Sequence, residues 1–273
     1  MGREVPLEQL EPWRRFLGAF LRPGDEPCLD IGAGTGLWTR AFVTWFDAEV
    51  LAIEPSSGMR CVGTEIGLPS RARYVAASAE HLPVGRGAFR AAWLSTVVHH
   101  LTDLPACARE LHRALAEGAS VMIRNSFSGR LEEVELFRHF PAAAAVAARW
   151  PTLEHVAATF ADAGFTRNRV LRVREESWPD LQRLRDWAVS MRNTDSTLAP
   201  ISDAEFASGL RSLEGAIARG ERPHPTGLDL VVLTSRVTEG SIGGAGSPRS
   251  PSFSGRAVAW CGRSRWDREC GLR

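Results

Sequence analysis

The stretch "CLDIGAGTGLWTRAF", residues 28–42, places glycines at three alternate positions directly behind a short apolar run. The run is typical of a buried strand, and the apolar residues after the glycines recur at helical spacing. Glycine has no Cβ, so a glycine-rich turn between a strand and a helix lets the backbone approach a bound molecule closely. The stretch therefore predicts a cofactor site at the carboxyl end of a first strand.

Apolar runs alternate with helical patterns along most of the chain. After the first strand, further strands are predicted at 48–54, 72–78, 89–97, 119–125, 167–177 and 228–237. Nearly continuous apolar strands separated by helices predict a mostly parallel sheet that is covered on both faces. We therefore expect an α/β fold with a doubly wound, seven-stranded, Rossmann-like sheet, whose ligands bind at the carboxyl ends of the strands.

Three regions are predicted from the same patterns. Residues 1–25 form an N-terminal cap helix, centred on an amphipathic pattern over 7–21, and residues 26–238 form the main domain. Helical insertions interrupt this domain at about 126–150 and 178–225. Residues 239–273 are rich in Gly, Ser and Pro and lack periodicity, which predicts a disordered tail.

One helix boundary is predicted in detail. The segment 102–118 begins with Thr102 or Asp103 as the candidate N-cap and ends at Gly118. Short polar side chains favour the N-cap position at the start of a helix. Glycine favours the position just after the end of the helix.

Composition excludes several classes of function. The net charge is +1 over 273 residues, without a basic patch, which argues against a nucleic-acid substrate. The cysteines form no CxxC pair and no Cys/His cluster, so no metal site is expected. The polar, acidic start does not resemble a signal peptide, and the apolar run at 16–21 is far too short to cross a membrane. We expect a cytoplasmic protein with no membrane partner.

The glycine spacing distinguishes two kinds of cofactor. Gly32 and Gly34 fit the first two positions of the dinucleotide fingerprint, but its third position falls on Leu37, and Gly36 comes one residue early. The pattern is instead an acid, Asp30, followed by alternating glycines. A pyrophosphate would be repelled by this acid, whereas the ammonium and sulfonium groups of S-adenosylmethionine (SAM) would be attracted. The turn alone leaves another nucleotide-binding α/β protein as an alternative.

With these features the chain resembles the class I SAM-dependent methyltransferases of the small-molecule branch, over about residues 29–165 and more weakly to 237. The resemblance implies that the glycine turn surrounds the methionine part of SAM and that an acid ending the second strand holds the ribose hydroxyls. The residues implied are Asp30, Gly32, Ala33, Gly34, Gly36, Glu54 and Pro55.

Two later segments extend the resemblance. "ASAEHLPV", residues 77–84, stands where the family usually has G-D-A-E-x-L-P-F, so Ser78 replaces the acid that commonly meets the adenine. "LSTVVHHLTD", residues 94–103, matches the loop that lines the SAM and substrate cleft. The cofactor contacts implied are Ser78, Ala79, Glu80, Ser95 and Thr96.

His99 and His100 are the candidate catalytic residues. Histidine titrates near neutral pH, so either ring could accept a proton from a hydroxyl nucleophile. The alternative is that the pair holds its loop and packs on the following helix. Arg124 and Asn125 end the fifth strand, where they either orient a substrate or cap the strand.

The resemblance implies a SAM-dependent methyltransferase that acts on an O, N or C atom of a small molecule, with a secondary metabolite or a lipid-like compound as the acceptor. The apolar insertions are expected to form a lid over the strand ends. Two alternatives stay open: a SAM-binding enzyme that does not methylate, such as a cyclase assisted by SAM, and an inactive regulatory subunit of the same fold.

Overall fold

The computed structural model describes residues 7–21 and 27–236. Seven strands form a single sheet: β1 Cys28–Ile31, β2 Val50–Ile53, β3 Ala72–Val75, β4 Phe89–Ser95, β5 Leu115–Asn125, β6 Phe165–Glu175 and β7 Thr226–Ser235. Their order in the sheet is β3-β2-β1-β4-β5-β7-β6. The predicted tail at 239–273 lies outside the described residues.

Nine α-helices are described: α1 Glu11–Leu17, α2 Leu37–Phe46, α3 Ser57–Ile66, α4 Leu104–Ala114, α5 Glu135–His139, α6 Pro141–Ala147, α7 Leu153–Asp162, α8 Leu181–Met191 and α9 Asp203–Ala218. Short 3₁₀ turns precede α1 at Leu7–Leu10 and follow β4 at Val98–His100. The predicted N-terminal helix thus begins as a 3₁₀ turn and ends at Leu17. None of the helices in the described ranges is both long enough and apolar enough to cross a membrane.

Five strands are parallel, and the last two form an antiparallel edge. β1 pairs in parallel with β2 and β4, β3 pairs with β2, and β5 pairs with β4, whereas β7 runs antiparallel to both β5 and β6. The predicted fold class is confirmed. The strand order reverses between β1 and β4, and this switch point is where doubly wound sheets open a crevice for ligands.

Alternate residues of each strand supply the cores on the two faces of the sheet. In β7, Val231 and Leu233 join a cluster with α4 and α7, while Leu230 and Val232 join a second cluster with α1 and α2. This alternation follows from the two-residue period of a strand. The sheet is therefore covered on both faces, as the continuous apolar strands predict.

The two insertions pack against each other although they are far apart in the sequence. Their buried side chains form a third cluster, which we call the insertion core: Leu136, Phe140, Ala143, Trp178, Leu181, Leu184, Ala188, Leu198, Ile201, Leu213 and Ala216. The close approach requires Gly209, because a Cβ at this position would collide with the ring of Phe140. One helical layer thus arises from two separate segments.

The start of α4 is predicted correctly and its end is not. Asp103 is the N-cap, and its side chain accepts a hydrogen bond from the Ala106 N–H at 2.8 Å. The helix ends at Ala114, and Gly118 lies inside β5 with φ +73°. Leu115 is already buried and paired with Phe89, so sheet pairing overrides the local helical pattern here.

Candidate active site

A cavity of about 490 Å³ opens at the carboxyl ends of β1 and β4. The sheet side of its wall contains residues of the glycine turn, which comprises residues 32–36, and of the loop after β4. The wall also contains aromatic side chains of the two insertions. Of the predicted site residues, the cavity wall brings together Gly32, Ala33, Gly34, Ser95, Thr96, His99 and His100.

The glycine turn has the backbone conformation that favours glycine. Gly32, Gly34 and Gly36 have φ values of +66°, +56° and +80°, a region that residues with a Cβ rarely adopt. A Cβ at Gly32 would lie 2.5 Å from Val97 Cγ2, whereas no atom lies within 4 Å of a Cβ position at Gly34. Gly34 therefore faces open space, where a ligand can approach its backbone.

Position 36 requires glycine because of a contact within the protein. Gly36 does not line the cavity, and a Cβ there would lie 2.7 Å from the Tyr74 hydroxyl. That hydroxyl donates a hydrogen bond to the Gly34 carbonyl at 3.0 Å, so Tyr74 fixes the turn from β3. Sequence reasoning missed this role. A usable signal was that Tyr74 is the single tyrosine of the chain.

Glu54 lies directly beside the turn, although it does not form part of the cavity wall. One carboxylate oxygen accepts the Gly34 N–H at 2.8 Å, and the other accepts the Ser56 N–H at 2.8 Å. A carboxylate oxygen accepts about two hydrogen bonds, so each one retains acceptor capacity. This arrangement suits a carboxylate that accepts from two neighbouring hydroxyls, as a ribose presents them.

Asp30 is fully buried below the turn, where its carboxylate accepts a hydrogen bond from the Thr39 hydroxyl at 2.6 Å. Burial raises the pKa of Asp30 to about 7, the hydrogen bonds from Thr39 oppose this rise, and the charge of Glu54 adds to it. Asp30 does not reach the cavity wall. Its predicted effect on a ligand would therefore be through its charge, and a cation beside the turn would favour its ionised form.

The segment predicted to meet adenine lies outside the cavity wall, as does Pro55. Glu80 instead accepts hydrogen bonds from the backbone N–H and the hydroxyl of Thr102, at 3.3 and 3.2 Å. Ser78 forms an isolated bridge with His81. The cofactor roles of Ser78, Ala79, Glu80 and Pro55 stay predictions.

The two histidines lie at the cavity with their ring centroids 4.1 Å apart. His99 stacks on Trp150 at 4.0 Å and is mostly buried. Burial lowers the pKa of His99 to about 3, the charge of His100 adds to this effect, and the nearby amide of Asn125 opposes it. His99 is therefore neutral at physiological pH and is a weak proton acceptor.

His100 is more exposed than His99. Burial lowers its pKa, and the carboxylates of Asp195 and Glu54 oppose that shift. Of the two rings, His100 is therefore the better proton acceptor. Its catalytic role stays a prediction.

Arg124 lines the cavity, but its charge is already neutralised. Its guanidinium donates to both carboxylate oxygens of Glu175 at 2.7 Å and to the Ser95 hydroxyl at 3.2 Å. The same carboxylate accepts the indole N–H of Trp13 at 2.5 Å and the Ser177 hydroxyl at 2.8 Å. This buried network ties α1 to the ends of β5 and β6, a role that sequence reasoning missed for Glu175 and Trp13.

No metal site accompanies these features: within residues 7–21 and 27–236, no three His, Cys, Asp or Glu side chains are grouped so as to hold an ion.

The chain matches known proteins in sequence over one region and in structure over most of its length. Residues 29–123 match a family model described as a methyltransferase domain. No curated protein has a matching sequence.

Three solved structures illustrate the structural similarity. The first is an Anabaena variabilis protein assigned as a methyltransferase of an antibiotic biosynthesis pathway. It is 19% identical in sequence, with a TM-score of 0.65, and the match covers 81% of this chain and 96% of that protein. The second, the [4+2]-cyclase SpnF, is 17% identical with a TM-score of 0.59, and the match covers 86% of this chain and 85% of SpnF. The third is a phosphoethanolamine N-methyltransferase of Haemonchus contortus, solved with S-adenosylhomocysteine (SAH). It is 18% identical with a TM-score of 0.54, and the match covers 85% of this chain and 53% of that enzyme.

The strand order, the glycine turn at the switch point and these matches agree. Residues 29–123 match a methyltransferase-domain model, and the chain has the doubly wound sheet of the class I SAM-dependent methyltransferase fold that its sequence predicts.

Proposed function

We propose that the protein binds SAM at the glycine turn and transfers the methyl group to a small molecule held in the cavity. The observation that carries the proposal is that Gly34, with no atom near its Cβ position, opens onto a cavity that aromatic insertion side chains enclose. Cofactor and acceptor sites would thus share one space, which direct transfer requires.

The residues around the turn fit SAM. The backbone at Gly32 and Gly34 would lie against its methionine part, and the free acceptor capacity of Glu54 would receive the ribose hydroxyls. The buried Asp30 would attract the cationic end. When bound, SAM supplies a methyl group that its sulfonium already activates.

Two tasks are left to the residues of this chain: alignment of the acceptor and exclusion of water. The insertion side chains that line the cavity would enclose the acceptor, and His100 would receive the proton of a hydroxyl acceptor. His99 is neutral and stacked on Trp150, so we assign it to holding the loop and the cavity wall.

The cavity also indicates the size and nature of the acceptor. Its volume of about 490 Å³ suits a small molecule. The wall contains Phe137, Trp150, Trp178 and Trp187, which favour an acceptor with an apolar body, such as a secondary metabolite or a lipid-like compound. The Haemonchus contortus enzyme is also named for methylating a small molecule, phosphoethanolamine.

The test is turnover with methyl-labelled SAM and a panel of small-molecule acceptors. We expect SAH and a labelled product to form in equal amounts. SAM binding with no SAH formed on any acceptor would instead assign the protein to the SAM-binding proteins that do not methylate. Absence of SAM binding by calorimetry would contradict the proposal altogether.

A substitution at Gly34 tests the cofactor site. Gly34→Ala should weaken SAM binding at least about tenfold, because the methyl group would enter the space assigned to SAM and the backbone would resist φ +56°. Binding is measured by calorimetry.

Gly87→Ala is the matched control for this substitution. Gly87 also has a positive φ, +65°, with no atom within 4 Å of its Cβ position, but it lies outside the cavity wall. It should therefore carry a similar backbone cost and leave SAM affinity unchanged. Equal SAM affinities in the two variants would show that Gly34 is not part of the SAM site.

A further inference from the structure

We propose that the acceptor carries a positively charged nitrogen, and that the Asp195 carboxylate binds it beside the aromatic side chains of the insertions. This inference rests on the proposed function and names the substrate class for the same cavity. It concerns how the acceptor is held, whichever of its atoms receives the methyl group.

The charges that line the cavity favour a cation. Four side chains of the wall carry a formal charge: Arg124, Glu175, Glu176 and Asp195. Arg124 and Glu175 cancel each other through their two hydrogen bonds of 2.7 Å. In the described part of the chain, neither Glu176 nor Asp195 forms an ion pair with an arginine. The wall thus presents two carboxylates that no cation among the described residues neutralises.

The two histidines do not supply the missing positive charge. Burial lowers the pKa of both His99 and His100, so the neutral rings predominate at physiological pH. An acceptor with its own positive charge would complement the wall. An anionic acceptor would meet repulsion from both carboxylates.

Asp195 is held in one orientation by its own loop. Its Oδ1 accepts hydrogen bonds from the N–H and the hydroxyl of Thr197, at 2.9 and 2.6 Å, and from the Leu198 N–H at 3.0 Å. Within the described residues, Oδ2 makes no hydrogen bond. One oxygen is therefore used to fix the loop, while the other remains available to a ligand.

Aromatic side chains surround the same part of the wall. The N–H groups of Thr194 and Asp195 donate to the Met191 carbonyl at 2.9 Å, which folds the loop back onto the last turn of α8. Trp187 lies one turn earlier on that helix and packs against Trp178, with 5.2 Å between ring centroids. Aromatic faces attract cations, most strongly where water is excluded.

Asp195 is separate in the fold from the acids assigned to SAM. Asp30 lies within β1 and Glu54 directly follows β2, whereas Asp195 and the tryptophans belong to the inserted layer. Asp195 and the tryptophans line the cavity, whereas Asp30 and Glu54 lie outside its wall. This separation assigns Asp30 and Glu54 to the cofactor and Asp195 to the acceptor.

Matched pairs of probes test the inference. The SAH-loaded protein is titrated in a calorimeter with 2-phenylethylamine and 2-phenylethanol, and with tryptamine and its alcohol analogue. The members of each pair share a ring and differ in the charge of the terminal group. We expect each amine to bind about tenfold or more tightly than its alcohol, as suits a hydrogen bond to a charged group.

Asp195→Asn should abolish this preference and leave alcohol binding unchanged. The amide oxygen of asparagine can still accept from Thr197 and Leu198, so the loop keeps its shape. Asp186→Asn is the control. Asp186 is an exposed acid of α8, the helix that precedes the Asp195 loop, and it lies outside the cavity wall, so its loss should not alter the preference. Melting temperatures establish that both variants are folded.

Equal binding of amine and alcohol, a preference that survives in Asp195→Asn, or failure of every amine to bind would each overturn the inference. The titrations are repeated without SAH, and SAH binding is measured on its own. If the protein binds the amines but does not bind SAH, this result would contradict the proposed function and not the amine site.

Discussion

Replacing Arg124 with methionine is expected to lower the free energy of unfolding by about 3–5 kcal/mol. The substitution leaves the Glu175 carboxylate buried without its cation, and among the described residues only Trp13 and Ser177 still donate to its side chain. Removing one partner of a buried ion pair costs more than removing both, because the remaining charge has lost its compensation. Urea denaturation followed by tryptophan fluorescence measures the change.

The double variant Arg124→Met/Glu175→Gln should recover more than half of this loss. The glutamine oxygen can still accept the Trp13 N–H, while no charge is left buried. Arg185→Met provides the contrast, since Arg185 forms its ion pair with Glu214 at an exposed site. That substitution should cost less than about 1 kcal/mol. Equal losses in Arg124→Met and Arg185→Met would show that the buried network contributes little.

His99→Gln should make the protein more resistant to acid. The pKa of His99 is about 3 in the folded protein, against 6.5 as its ordinary value, because burial disfavours the charged ring. As the pH falls below 6.5, the unfolded chain binds a proton that the folded protein does not. The wild-type protein therefore loses stability between pH 6.5 and about 3, and glutamine removes this loss.

Between pH 7 and pH 4, the difference in unfolding free energy between His99→Gln and the wild type should grow by up to about 3 kcal/mol in favour of the variant. Urea denaturation at a series of pH values measures it. His100→Gln should show a smaller change of the same sign, because Asp195 and Glu54 oppose the effect of burial on His100. A constant difference between His99→Gln and the wild type across this range would contradict the prediction.

The parts of the site that the sequence predicts are those set by local geometry. The alternating glycines predict a turn between a strand and a helix, and Gly32, Gly34 and Gly36 form it with positive φ values. The cap at Asp103 follows from the same kind of local rule. Even so, the pattern alone does not distinguish Gly34, which faces open space, from Gly36, which packs on Tyr74.

The parts that the sequence does not predict depend on contacts between distant segments. Trp13 and Glu175 are 162 positions apart, and Arg124 and Glu175 are 51 positions apart, so no periodic pattern links them. Pairing with Phe89 ends α4 early, although the local pattern continues as a helix to Gly118. The position of Asp195 at the cavity likewise depends on how the second insertion folds over the sheet.

The insertion core shares no residue with the two clusters that flank the sheet. Mutations inside it can therefore reshape one wall of the cavity while the packing that supports the glycine turn is retained. During evolution, such an architecture lets a lineage exchange one acceptor for another without rebuilding its cofactor machinery. It also allows protein engineers to redesign the inserted helices together, separately from the sheet.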